Sequence, residues 1–213
     1  MNITVLGATG GTGRIVVEQL LARGHSVRAA VRKRKNAAGL DCDVVAFDLT
    51  SSDPDRFAAV FAGTDAVINA AATSSMMKRQ ADLVDRAGVI AAIDAGAALG
   101  VKRWIQVSMM GSGESGRVPV YLRATGQAKH AADTHLAASG MTWTVVRPPW
   151  LTDGPAAGLV TVGERVPEGS LTRADLAAVA VECLDATATH DRMLEVASGE
   201  RPIREALGSL NRP

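Results

Sequence analysis

Residues 1–24, MNITVLGATGGTGRIVVEQLLARG, decide the fold. Ile3 to Leu6 read as a short apolar strand, which delivers the chain into a loop with Gly7, Gly10 and Gly13 at three-residue intervals. Ile15, Val16, Leu20 and Leu21 then recur at helical spacing, and Gly24 ends the run. Glycine in such a loop supplies positive φ, lets the backbone approach a pyrophosphate and lets the helix pack tightly on the strand. A helix opening at Gly11 or Thr12 aims its free N–H groups and its positive dipole end at that phosphate. Spaced glycines alone are a weak signal, but here the strand before and the helix after provide the context that a dinucleotide site requires.

The 213-residue chain is 47% hydrophobic, enough for one α/β domain with a full core. A formal net charge of +1 lacks the basic excess of a dedicated nucleic-acid binder. Cys42 and Cys183 fit no CxxC, zinc or haem spacing, so a reduced, cytoplasmic setting is the default. The first residues lack the basic and apolar regions of a signal peptide, and no apolar run reaches bilayer-spanning length, so no membrane partner is expected. His130 and His135 are five apart, off the i, i+4 face of a helical metal pair, and no metal site is expected.

Strand and helix patterns alternate along the rest of the chain, the sign of a parallel sheet with crossover helices. Strands are predicted near 26–31, 44–47, 66–69, 104–107, 142–147 and 193–196, with an extended piece near 159–162. Helices are predicted near 55–61, within 79–99, near 126–138 and over 173–184. Asp53 and Pro54 suit the N-cap and first turn of the first of these, and Thr172 suits the N-cap of the last. The expected fold is a single-domain Rossmann-type doubly wound parallel sheet over residues 1–213, with helices on both faces and a small C-terminal substrate-side region. Loops near 109–120 and 148–170 would cover the carboxyl edge of the sheet, where such folds bind ligands.

The end of the second strand indicates which nucleotide binds. NAD sites usually place an acid about 20 residues after the glycines to hold the ribose 2′-hydroxyl. No acid occurs here between Glu18 and Asp41; the strand runs instead into Arg32-Lys33-Arg34-Lys35. A guanidinium at Arg32 pairs with a 2′-phosphate and stacks on adenine, which favours NADP(H) over NAD(H).

Taken in order, Gly7-Ala-Thr-Gly10-Gly-Thr-Gly13-Arg14, Val31-Arg32, Phe47-Asp48-Leu49, Asn69-Ala70-Ala71, Val107-Ser108 and the 139–148 segment ending in Arg147-Pro148 resemble the atypical short-chain dehydrogenase/reductases. The likeness is to their compact NAD(P)H-binding branch, which includes flavin and biliverdin-IX-beta reductases, NmrA-like sensors and proteins labelled epimerase or dehydratase. It implies that Gly7, Thr9, Gly10, Gly11, Thr12, Gly13 and Arg14 form the phosphate loop. It also implies that Asp48 and Leu49 contact adenine, that Ala70, Ala71 and Ala72 lie beside the adenosine ribose, and that Pro148 passes near the nicotinamide.

In catalysis the chain departs from that pattern. Related enzymes use a tyrosine four residues before a lysine, whose charge lowers the phenol pKa, and an upstream serine that positions the substrate oxygen. Lys129 holds the lysine position, where its ammonium would grip the nicotinamide ribose hydroxyls, but Thr125 stands at the tyrosine position. A threonine hydroxyl is too weak an acid to replace a phenol at neutral pH. Tyr121, the only tyrosine, lies one helical turn before Thr125 and is a candidate substitute. Ser108 is the candidate serine, although Met109 and Met110 follow it where relatives have a second serine. Trp150 stands where reductases of this branch carry a histidine, and it would either stack on a planar acceptor or close the core.

Three functions follow. The leading expectation is an NADPH-dependent oxidoreductase acting on a small planar acceptor such as a flavin or quinone, with solvent supplying the proton. The alternative is a non-catalytic NADP(H)-binding sensor with a protein partner, resembling the NmrA-like proteins. The third is a nucleotide-sugar epimerase or dehydratase, which requires a base and a larger substrate region. Either a monomer or a homodimer is compatible with the Ala-rich run from Val89 to Leu99, which reads as a buried crossover helix.

Overall fold

Strand β1 (Asn2–Leu6) is buried on both faces after Asn2 because helices cover both. In the computed structural model, which describes residues 1–75, 77–114 and 116–211, Ile3 and Val5 pack into one hydrophobic layer and Leu6 into another. The strands that follow are β2 (Ser26–Val31), β3 (Asp43–Ala46), β4 (Ala66–Asn69), β5 (Arg103–Val107), β6 (Thr142–Arg147), β7 (Trp150–Thr152), β8 (Leu159–Gly163), β9 (Ser170–Thr172), β10 (Arg192–Ser198) and β11 (Arg201–Pro202). Nine of them form one sheet in the order β11-β8-β10-β6-β5-β4-β1-β2-β3. From β3 through to β10 the neighbours run parallel, while β8 and β11 close the far edge antiparallel. The chain winds outward in both directions from β1 and β4, so their carboxyl ends form the switch point where such a sheet opens a crevice.

The helices are α1 (Gly11–Ala22), α2 (Pro54–Phe61), α3 (Lys78–Gln80), α4 (Val89–Ala98), α5 (Arg123–Ala137), α6 (Arg173–Glu182) and α7 (Ile203–Gly208), with a π-helical stretch, Ala81–Gly88, joining α3 to α4. On one face α1 and α6 bury Val16, Val17, Leu20, Leu176 and Val179 against Ile3, Val5, Ile68 and Ile105. On the other, α2, α4 and α5 bury Phe61, Ile93 and Leu136 against Val67 and Trp104. Each fully buried large side chain of this kind contributes about 1.5–3 kcal/mol of transfer free energy. Asp53 caps α2 by accepting from Asp55 N at 3.0 Å, and Thr172 caps α6 by accepting from Asp175 N at 2.9 Å. The Ala-rich run after Val89 turns Ala92, Ile93 and Gly96 inward, as an ordinary crossover helix does.

Several boundaries differ from the sequence reading. Helix α5 begins at Arg123 rather than near 126, because Gly126 is an interior position packed under Val118 and not a start signal. The π-helical stretch was not legible, since an amphipathic run looks much the same with one extra residue in a turn. The segment after Pro148, read as a loop apart from one extended piece, also contains β7 and β9, which pair in parallel as a separate ribbon. At three residues each they are too short to show a period. Ser115, within the expected 109–120 loop, lies outside the described residues, as do Arg212 and Pro213.

Candidate functional site

At the switch point, the turn after β1 is built so that backbone can replace side chains. Gly7 has φ +74°, and a Cβ there would stand 2.6 Å from Ala71 Cα. A Cβ on Gly13 would collide with the Gly7 carbonyl, so neither position admits another residue without displacing the loop. The turn after β4 is held from below by a chain of amides. Trp104 Nε1 and Asn69 Nδ2 both donate to Gln106 Oε1 at 3.0 Å, and Asn69 Oδ1 accepts from Ala71 N at 3.0 Å.

Between these turns and the later loops lies a cavity of about 1070 Å³. Gly10, Gly11 and Thr12, Ala70 to Ala72, Ser108, Lys129 and Pro148 line it. Met109, Val118, Val120 and Trp150 add apolar surface to the same lining. Trp150 is 60% exposed, so it does not close the core. Arg117, Arg123 and Arg173 also line the cavity, with Glu168 on the rim. Arg173 was not among the site residues expected from the sequence, which marks this segment only as the start of a helix capped by Thr172.

The remaining expected cofactor residues, Gly7, Thr9, Gly13, Arg14, Arg32, Asp48 and Leu49, are not among the residues that line the cavity. Gly13 lies beneath the loop, Thr9 is half-buried within it, and Arg14 spans to the basic segment, donating to Ala38 O at 3.1 Å and Asn36 O at 2.9 Å. Asp48 Oδ1 accepts from Thr50 N and Thr50 Oγ1 at 2.9 and 2.8 Å. Those bonds, with the charge of Arg32 adding to them, hold the Asp48 carboxyl below its ordinary value. Leu49 is buried beside it. The structure does not bring Tyr121 to this cavity: it is 54% exposed on a short 3₁₀ turn, and its side chain is absent from the lining.

Lys129 is buried on α5, 7% exposed, rather than being an exposed helix lysine. Its Nζ lies 3.1 Å from Asp85 Oδ1, an ion pair without hydrogen-bond alignment. Asp85 Oδ2 accepts from Thr73 N at 3.3 Å, which ties the lysine to the loop after β4. Ser108 Oγ donates to Asp133 Oδ2 at 2.8 Å, an oxygen that also accepts from Arg147 Nε and Nη2 at 3.2 and 2.9 Å. Burial raises the Asp133 carboxyl above its ordinary value despite Arg147, Ser108 and Lys129. The donor proton of Ser108 is therefore committed within the protein. No signal in the sequence marks Asp85, and only a spacing of four residues from Lys129 along α5 marks Asp133.

Among the described residues no cluster of His, Cys, Asp or Glu is placed to hold a metal, and no helix is long and apolar enough to cross a membrane. His135 pairs with Asp94 at 2.6 Å on the surface.

A family model described as NAD(P)H-binding matches residues 7–187. A Bacillus subtilis (strain 168) protein described as an uncharacterized sugar epimerase, YhfK, is 34% identical over 215 residues, spanning 99% of this chain and 100% of its own. The structure of the oxidoreductase ylbE from Lactococcus lactis is similar with a TM-score of 0.89 at 26% identity, over 99% of this chain and 96% of that one. ChuY from Escherichia coli O157:H7, described as an anaerobillin reductase, is similar with a TM-score of 0.79 at 25% identity, over 93% and 97% of the two chains.

Proposed function

The chain belongs to the NAD(P)H-binding family, and from that premise we propose that it is an NADPH-dependent reductase passing hydride to a small planar acceptor such as a flavin or quinone. The observation that carries this reading is the lining of the cavity: the glycines of the turn after β1 and an exposed tryptophan share it, no tyrosine is among its described lining residues, and the Ser108 hydroxyl proton is already given to Asp133. The turn has the form a dinucleotide cradle requires, because glycine at 7 and 13 lets the turn after β4 and the start of α1 close on it with no side chain between them. When bound, NADPH supplies the hydride. The N–H groups at the start of α1 hold the pyrophosphate, and Arg32 meets the 2′-phosphate. Lys129, anchored by Asp85, still has donors to offer the nicotinamide ribose hydroxyls. Trp150 presents a flat face to an aromatic acceptor, and the open mouth admits water as the proton source.

Acceptors of this kind need an oriented hydride more than a strong enzymatic acid. A sugar epimerase, the activity in the Bacillus subtilis relative's name, needs a base at the substrate hydroxyl, and neither Thr125 nor the committed Ser108 suits that task. Thr125 does favour a second reading, an NADP(H)-binding sensor without turnover. Following NADPH and NADH oxidation against a panel of flavins and quinones separates the two. Saturable turnover that is lost in Lys129→Ala supports the reductase, while tight NADPH binding with no turnover on any acceptor replaces it with the sensor.

A further inference from the structure

Strands β7 and β9 pair in parallel with Thr152 opposite Thr172, so the residues that follow them, Asp153 and Arg173, emerge side by side. Arg173 Nη1 donates to Asp153 Oδ1 at 2.7 Å. The partners are unequal, since the Asp153 side chain is 92% exposed while that of Arg173 is largely covered. What covers Arg173 is the first turn of α1. A Cβ added to Gly11 would stand 2.8 Å from Arg173 Cδ, and the arginine lines the cavity together with Gly10, Gly11 and Thr12. A guanidinium from the C-terminal part of the chain thus lies beside the first turn of α1, and among the described residues its hydrogen-bond partner is a carboxylate that stands almost wholly in water. An ion pair so exposed contributes little. A phosphate oxygen approached by a partly covered guanidinium is a stronger partner, and it accepts through the two-pronged geometry that arginine presents.

We propose that Arg173 exchanges Asp153 for the pyrophosphate of the bound dinucleotide, and that Asp153 is a built-in competitor which parks the guanidinium beside the cradle when the cofactor is absent. The proposal rests on the dinucleotide reading above but not on the identity of the acceptor. The pyrophosphate is common to NADPH and NADH, so this contact acts equally on both. Arg32, at the 2′-phosphate, acts on their ratio.

The test is the dissociation constants of NADPH and NADH, read from nicotinamide fluorescence, for the wild type, Arg173→Gln, Asp153→Asn and the double variant. Arg173→Gln is expected to weaken both nucleotides by a common factor of about ten, the size of one charge-assisted contact. Asp153→Asn, which removes the competitor, is expected to tighten both by about two- to threefold, in keeping with a surface ion pair. That gain is expected to vanish on the Arg173→Gln background. A wild type that binds while Arg173→Gln binds equally well overturns this proposal alone, as does a gain from Asp153→Asn that persists without the arginine. A wild type that binds neither nucleotide overturns the dinucleotide reading and this proposal with it. Should Arg173→Gln fail to fold, Asp153→Asn decides, and absence of any tightening overturns the exchange.

Discussion

Lys129 Nζ and Asp85 Oδ1 stand 3.1 Å apart with both side chains shut off from solvent. This pair joins α5 to the π-helical stretch and, through the Thr73 amide, to the loop that floors the cavity. A lysine that would hold ribose hydroxyls is therefore set in place by a carboxylate whose position depends on one irregular helical turn. Such turns recur at functional sites because the extra residue re-aims a side chain without ending the helix.

Removing one member of this pair leaves the other charged and buried. Asp85→Ala is expected to lower the unfolding free energy by about 3–5 kcal/mol, the usual consequence of orphaning a buried ion. Adding Lys129→Met is expected to restore much of that loss, since an apolar pair of similar volume avoids the desolvation penalty. Urea denaturation of the two variants checks both statements, and an Asp85→Ala protein as stable as wild type would refute the pairing.

The glycine loop supports a graded prediction. A Cβ on Gly10 would meet the Gly7 carbonyl at 3.3 Å, a contact that a small shift relieves, whereas one on Gly13 would collide with that carbonyl and with Ala8. Gly10→Ala is expected to keep its melting temperature and lose some nucleotide affinity. Gly13→Ala, which forces α1 away from β1, is expected to cost about 1–3 kcal/mol or more as an overpacked core position. Thermal melts with and without NADPH rank the two, and the reverse order would show that the helix does not pack on the loop as described.

This contrast also explains how much could be read from the chain itself. Strands Ser26–Val31, Ala66–Asn69 and Thr142–Arg147 agree with the sequence reading residue for residue, because each is built round a short run of buried apolar residues. The glycine turn after β1 was equally legible, since Gly7 takes a positive φ and Gly13 lies against the Gly7 carbonyl. Glu195, Asp85 and Arg173 were not, because each acts through a distant partner; Glu195 meets Arg117 across 78 residues and Arg173 meets Asp153 across 20. A lone acid or arginine in an amphipathic run reads as a solvated face until the sheet brings its partner round. Tyr121 shows the converse. Its spacing to Thr125 suggested one helical turn, but Val120–Leu122 forms a separate 3₁₀ turn that turns the phenol toward solvent.

Trp150 contributes little to the core, so its removal separates binding from stability. Trp150→Ala is expected to stay within about 0.5 kcal/mol of wild type, as exposed substitutions usually do. The KM for a flavin or quinone is expected to rise several-fold, in line with about 0.5–1.5 kcal/mol for an aromatic contact. The NADPH dissociation constant should change less than the KM, because no glycine of the turn after β1 packs against Trp150. An unaltered KM for every acceptor would remove Trp150 from the acceptor site.

The loops that wall the cavity are fastened from beneath by Glu195. Its carboxylate accepts from Arg117 Nη1 and Nη2 at 2.6 and 3.0 Å, from Gly111 N at 3.2 Å and from Val166 N at 3.0 Å. Burial alone would raise this carboxyl, but the Arg117 guanidinium and the two amides outweigh it and hold it below its ordinary value of 4.5. A carboxyl whose folded pKa lies below its unfolded one adds stability that is fully present above the unfolded value and is lost as pH falls through the folded value. Glu195→Gln keeps the shape but not the charge, so it is expected to be less stable than wild type by about 1.5–3 kcal/mol at neutral pH, the range for bonds to a charged group. That gap should stay constant down to about pH 5 and then narrow in more acid solution, as the wild-type carboxylate takes up its proton. Protection of the Gly111 and Val166 amides against hydrogen exchange, relative to the intrinsic rate at each pH, should fall in the same pH range in the wild type and be low throughout in Glu195→Gln. A stability gap that does not narrow in acid would assign the loss to altered packing and not to the charge that ties the two loops to β10.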